Sequence, residues 1–287
     1  MTGNAIPRRE FLGLVGGAAL AATAAGRLNL EPGTLPRYRI GIQLYSVRDP
    51  LAKDFEGTLA ALAAIGYQQV EFAGLHDHSP KDVRAILDRY GLKAPSSHVG
   101  IPAITDAIDQ TIDDTQTLGH QYLILPWIPD ESRTPDGYRR IAEMLNKAGD
   151  RLHDAGVALG YHNHSFEFAP LDMGIGQARQ CGYDILLAAT DPRLVVMELD
   201  LFWVRKGGRD AFQYFRDFPG RYRLAHVKDM SADGAMVDVG QGVIPWRELL
   251  AAARGAGVRL LFAEHDEPKD PMAFARTAYD YLLALPV

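Results

Sequence analysis

One unit recurs along this chain: an amphipathic stretch, a glycine, then a short apolar run. Leu59-Ala60-Ala61-Leu62-Ala63-Ala64-Ile65-Gly66 leads into Gln69-Val70-Glu71-Phe72, and Leu118-Gly119 into Tyr122-Leu123-Ile124-Leu125. The same order recurs at Tyr90-Gly91, Ala155-Gly156 and Ala256-Gly257. A glycine at that point ends a helix by taking the left-handed conformation. Ser79 with Pro80 reads as the capped start of another helix, and Phe55, Leu59 and Leu62 fall on one helical face. The apolar runs do not alternate with polar residues, which suits strands of a parallel sheet covered by helices on both sides. Eight runs lie near 39–46, 68–73, 93–98, 122–127, 158–164, 195–203, 223–229 and 259–265. Eight such units in about 250 residues predict an α/β fold, a single (β/α)8 TIM barrel over 37–287. A doubly wound sheet usually carries a glycine fingerprint after its first strand, and Ile40-Gly41-Ile42-Gln43-Leu44-Tyr45-Ser46 has none.

Composition narrows the function. Of 287 residues, 47% are hydrophobic and 23% charged, which excludes wholesale disorder. Thirty Lys and Arg against 36 Asp and Glu give a net charge of -6 without a basic run, so neither nucleic acid nor an anionic membrane is an expected partner. The one cysteine, Cys181, rules out an internal disulfide and a thiolate metal cluster.

Residues 1–25 read as an address rather than as fold. Arg8-Arg9 precede Phe11-Leu12 and a short uncharged stretch rich in Gly and Ala, with small residues at Ala22-Thr23-Ala24. The stretch is too short to span a bilayer, so no stable membrane anchor is expected. The pattern resembles a twin-arginine export signal. It predicts the twin-arginine translocase as a transient partner and a periplasmic or otherwise exported location.

Polar residues gather where the apolar runs stop. They are Glu71, His98, His162-Asn163-His164, Glu198 and Asp200, His226 and Lys228, and Glu264-His265-Asp266. In a barrel these ends converge on the face that carries active sites. A buried carboxylate needs a partner or a metal, and carboxylates with neutral imidazoles suit Mn, Co, Fe or Zn. Strand parity puts His162 with His164, Glu198 with Asp200, and His226 with Lys228. Lys228 beside Asp229 reads equally as an ion pair or as a cation facing an oxyanion.

Weaker signals remain open. Gly240-Gln241-Gly242 ahead of Trp246 reads as a plain turn. Trp127 and Trp203 read equally as walls for a sugar ring and as core. No nucleophile elbow is present.

Together these stretches resemble the sugar phosphate isomerase/epimerase family, the xylose isomerase-like barrels. The likeness rests on Tyr161-His162-Asn163-His164, Glu198-Leu199-Asp200, His226-Val227-Lys228-Asp229 and Ala263-Glu264. It implies one divalent metal ion, with Asp200, His226 and Glu264 at matching ligand positions and His162 where the best-known epimerases have Glu. It also implies Glu264 or His164 as the proton-moving group, Lys228 as the enediolate stabiliser, and Glu71, His98, Trp127 and Trp203 around a carbohydrate. A homo-oligomer is compatible with it. With His162 the two-carboxylate epimerase mechanism loses one base, and the site becomes softer.

Three functions follow as expectations. The first is a metal-dependent sugar isomerase or epimerase abstracting a proton beside a carbonyl. The second is a lyase or hydrolase cleaving 3-keto-glycosides by β-elimination. The third is a sugar-binding protein without turnover.

Overall fold

The computed structural model describes residues 39–173 and 180–286. Residues 1–25, on which the export expectation falls, lie outside them. Eight parallel strands close a barrel: β1 (Arg39–Gln43), β2 (Gln69–Phe72), β3 (Lys93–His98), β4 (Tyr122–Leu125), β5 (Ala158–His162), β6 (Val195–Asp200), β7 (Tyr222–Val227) and β8 (Leu260–Ala263). Each strand pairs with its sequence neighbours, and β8 pairs with β1 to close the ring. The outer helices are α1 (Phe55–Ile65), α2 (Pro80–Tyr90), α3 (Ile108–Leu118), α4 (Pro135–Asp154), α5 (Gly182–Ala189), α6 (Ala211–Asp217), α7 (Trp246–Ala256) and α8 (Pro271–Ala284).

The recurring glycine does what its position predicts. Gly91 and Gly119 close α2 and α3 in the left-handed conformation. At the start of α2, Ser79 Oγ accepts from the Asp82 N–H and Pro80 fills the first turn, where no amide donor is needed. Phe55, Leu59 and Leu62 are buried together on α1.

Two separate cores result. The larger lies between sheet and helices, and the smaller, Ile124, Leu224, Leu260 and Phe262, fills the barrel's lower interior. Space there is kept by glycine: a Cβ on Gly41 would meet the Phe262 ring at 2.6 Å, and one on Gly160 would meet Ile124 Cδ1 at 2.5 Å. With a two-residue period, the positions above this plug are His162, Glu198, His226 and Glu264. The strand that is apolar toward the helices thus turns polar only at the top of its inward face.

Several strands stop earlier than the apolar runs suggest. β6 ends at Asp200 rather than 203, because the Asp200 carboxylate caps the helix Leu201–Lys206 by accepting from Trp203 N–H at 2.8 Å. Beyond His162 the β5–β6 pairing is continued by a side chain. Asn163 Oδ1 accepts from Asp200 N–H at 3.0 Å, and Asn163 Nδ2 donates to Asp200 O at 3.3 Å.

Candidate active site and metal centre

A cavity of about 810 Å³ opens at the C-terminal ends of the strands. Its titratable lining comprises Tyr45, His98, His162, His164, Lys228, Glu264, Asp266 and Glu267. Register brings the floor residues together: Asp200 pairs with His226, His162 with Glu198, and Gln43 with Glu71.

The floor has two tiers joined by two imidazoles. In the upper tier His226 Nδ1 lies 2.5 Å from Glu264 Oε2, and His162 Nε2 lies 3.8 Å from Asp200 Oδ2. In the lower tier the opposite nitrogens meet other carboxylates. His226 Nε2 is 2.6 Å from Glu71 Oε2, and His162 Nδ1 is 3.1 Å from Glu198 Oε2. His98 Nε2 joins them at 2.8 Å from Glu198 Oε2. Gln43 Nε2 donates to Glu71 at 2.8 Å from below.

His162, Asp200, His226 and Glu264 each offer one ligand atom within 4.8 Å of the others, and all four are buried. The set His98, His162, Glu198 and His226 meets the same distance. The upper set fits a divalent cation in its chemistry: two imidazoles, two carboxylates, and an Asp200 Oδ2 that receives no hydrogen bond. The lower carboxylates hold the far nitrogens of both imidazoles, the arrangement that fixes the ring and tautomer of a metal-ligating histidine.

Lys228 threads this centre. Its Nζ lies 2.8 Å from Glu264, 2.7 Å from Asp266 and 3.2 Å from Asp200. Burial opposes its charge, but these three carboxylates raise its pKa and keep it an ammonium. The ion-pair alternative therefore resolves with different partners. Asp229 turns away and accepts from the backbone N–H groups of Gly240, Gly242 and Ile244, so the glycine loop is a turn tied to that carboxylate.

Electrostatics divide the remaining groups. Burial would raise Glu264, but Lys228 and His226 hold it well below the usual carboxylate range. Burial pushes Asp200 up to about 6, against Lys228 and His226. His226 is raised well above an ordinary imidazole, since Glu198, Glu264 and Glu71 outweigh its burial. His164 goes the other way: burial and the Lys228 charge lower it to about 3. Its buried Nδ1 has no hydrogen-bond partner.

Two expected substrate contacts sit elsewhere. Glu71 is fully buried beneath His226 and does not line the cavity, because the β1–β2 register turns it toward Gln43. Trp203 is half-buried behind the site, 5.6 Å from the His164 ring and 5.6 Å from Lys228 Nζ, and is also absent from the lining. Its place on the helix Leu201–Lys206, rather than on a longer β6, turns it aside. His98 and Trp127 do line the cavity.

Sequence reasoning placed Asp266 at a strand end but gave it no role, and it missed two further supports. Asp266 anchors Lys228. Gln43 holds Glu71 and accepts from Tyr45 N–H at 3.1 Å. Glu167 lies buried under the histidine turn, where Tyr161 Oη donates to it at 2.8 Å and His164 N–H at 2.9 Å. Its only signal was a carboxylate three residues after His164.

Comparison with known proteins agrees with this fold. The sequence profile of the xylose isomerase-like TIM barrel matches residues 59–283. This chain belongs to the xylose isomerase-like TIM barrel family. Within it, the inosose dehydratase of Lacticaseibacillus casei is 24% identical over 271 residues, covering 79% of this chain and 88% of that protein. A sugar phosphate isomerase/epimerase from Parabacteroides distasonis superposes with a TM-score of 0.77 at 26% identity, over 87% of this chain and 99% of that one. The IolI protein, solved with a zinc atom, shares the fold at TM-score 0.68 and 15% identity, over 86% of this chain and 98% of that one. As in any barrel of this family, the chemistry must be argued from the strand ends. Among the described residues no helix is long and apolar enough to cross a membrane.

Proposed function

We propose that this protein is a carbon–oxygen lyase acting on a keto-sugar or keto-cyclitol. It removes the proton next to the carbonyl and expels the oxygen substituent one carbon further on. The carrying observation is geometric: His164 and Lys228 line one cavity, and the buried Nδ1 of His164 has no hydrogen-bond partner there. Proton abstraction next to a carbonyl moves charge onto the carbonyl oxygen. Lys228 faces that developing charge, and His164 takes the proton.

His162, Asp200, His226 and Glu264 would hold one divalent cation of the Mn, Co, Zn or Fe type, which when bound supplies Lewis-acid polarisation of a substrate oxygen. Glu71 and Glu198 keep the two imidazoles oriented from behind. Glu264 is committed to His226 and Lys228, so the proton falls to His164 rather than to this carboxylate.

Elimination is favoured over epimerisation by the base count. Epimerisation needs a second base on the opposite face, and both His162 nitrogens face carboxylates. The dehydratase names of the curated relatives support the same choice. A His164→Gln variant tests it: hydrogen–deuterium exchange next to the carbonyl should disappear, and retained exchange would remove His164 from the mechanism.

We also propose export through the twin-arginine route, supported by Arg8-Arg9 ahead of an uncharged segment. Replacing both arginines by lysine should leave the protein in the cytoplasmic fraction. Unchanged export of that variant would refute this.

A further inference from the structure

Resting on the elimination reading above, we infer that the leaving group is an apolar, planar aglycone rather than water or a second sugar. Four large hydrophobic side chains are strongly exposed among the described residues, and two of them, Tyr45 at 45% and Trp127 at 50%, line the catalytic cavity. They are not loose. Arg48 Cζ lies 4.2 Å over the Tyr45 ring. Trp127 is held by Arg133 Cζ at 4.5 Å and by edge contacts to Phe166 at 4.9 Å and His164 at 5.2 Å. An exposed indole fixed on several sides is a preformed stacking surface, and a ligand that covers it orders little more of the protein.

The wall around it points to the chemistry of the occupant. Val99, Ile101, Pro102, Pro126 and Pro129 join Trp127 in the cavity lining. Of these six side chains only the indole N–H can form a hydrogen bond. A second sugar ring would bring hydroxyls that this wall leaves unpaired, at a cost an aromatic group escapes. The volume of about 810 Å³ lies within the roughly 300–1,000 Å³ of pockets for drug-sized ligands and exceeds what one six-membered ring fills. Because the Trp127 and His164 rings touch edge to face, the apolar group lies next to the carbon that loses its proton. That is where the departing substituent of a keto-glycoside belongs.

The step balances without a redox partner. The C–H pair next to the carbonyl becomes a carbon–carbon double bond, and the bond from the adjacent carbon to the aglycone oxygen breaks. The oxygen departs with that pair and receives the proton held on His164. The products are an unsaturated keto-sugar and an alcohol or phenol.

Binding and turnover test this separately. The full-length chain, its Trp127→Ala variant and its Trp127→Phe variant would be titrated with phenyl glucoside, methyl glucoside and a glucose disaccharide, none of which carries the reactive ketone. Phenyl glucoside should bind about tenfold tighter than either other ligand, as expected of one added stacking contact. The ratio should fall to about one in Trp127→Ala and be largely retained in Trp127→Phe. Equal affinities, or a preference for the disaccharide, would overturn the aglycone assignment. The 3-keto forms of the same glycosides are then supplied. Phenol leaves more readily than methanol on any enzyme, so the comparison is between proteins: the ratio of phenol to methanol release should fall about tenfold in Trp127→Ala, and an unchanged ratio contradicts the assignment. Tight phenyl glucoside binding with no phenol release would sink the elimination reading alone and leave the apolar subsite standing.

Discussion

Lys228 Nζ lies 2.8 Å from Glu264 Oε2, and both side chains face the cavity although the lysine is almost fully buried. A buried ammonium survives there because Glu264, Asp200 and Asp266 surround it. The cation offsets carboxylate charge at the site's edge and lines the cavity, so its charge acts on whatever oxyanion forms there. Lys228→Met keeps the unbranched stem up to Cε and removes the charged nitrogen. It should lower kcat by about 10²- to 10³-fold, the usual loss for one oxyanion donor. Steady-state kinetics on a keto-sugar substrate check this, and an unchanged kcat would exclude Lys228 from the chemistry.

Glu198 Oε2 takes the His162 Nδ1 contact and Glu71 Oε2 takes His226 Nε2. If these fix the ligating faces, Glu198→Gln and Glu71→Gln should each weaken divalent-cation binding by about 10- to 100-fold. Calorimetric titration with Zn2+ or Co2+ measures it. Wild-type affinity in both variants would make the lower tier a packing network only.

Most of the barrel is legible in the sequence because its strands are covered on both faces and its helices end at glycine. Strand ends are less so. Leu201-Phe202-Trp203 continues the apolar run of β6, yet the Asp200 cap turns it into helix. The upper residues His162, Asp200, His226 and Glu264 announce themselves as polar groups ending apolar runs, and the structure brings them within 4.8 Å. The roles of Glu71 and Gln43 depend on β1–β2 register, which strand composition does not encode. Glu167 depends on the turn that folds it back under Tyr161.

Burial raises Glu167 to about 8. In the unfolded chain a glutamate loses its proton near pH 4.3, so the folded state alone keeps that proton up to about pH 8. Stability from this group is therefore greatest in acid and falls as pH rises from about 4.3 to 8, by up to several kcal/mol. Glu167→Gln is neutral throughout and should not show that loss. Comparing melting temperatures at pH 5 and pH 8, the variant should gain on the wild type at pH 8. An equal shift in both proteins would contradict the assignment.

Asp229 gathers three backbone amides of the loop before α7 and the N–H of Met230. Asp229→Ala leaves those donors without their acceptor and should cost about 3 kcal/mol in urea unfolding. Gly242→Ala should also destabilise, since its Cβ would meet Asp229 Oδ1 at 2.1 Å and Met230 O at 2.4 Å. Wild-type midpoints for both would mean the loop folds independently of this carboxylate.

The central claim is proton abstraction followed by loss of the neighbouring oxygen substituent. Proton NMR in D2O follows both events at once, with protein supplied with Mn2+, Co2+ or Zn2+ and a panel of 3-keto-glycosides, inososes, ketoses and aldoses. The account predicts loss of the signal next to the carbonyl together with release of the β-substituent and growth of an unsaturated ketone. Deuterium entering an otherwise intact ketose or aldose, with no substituent released from any keto compound, would contradict it and assign the site to isomerisation.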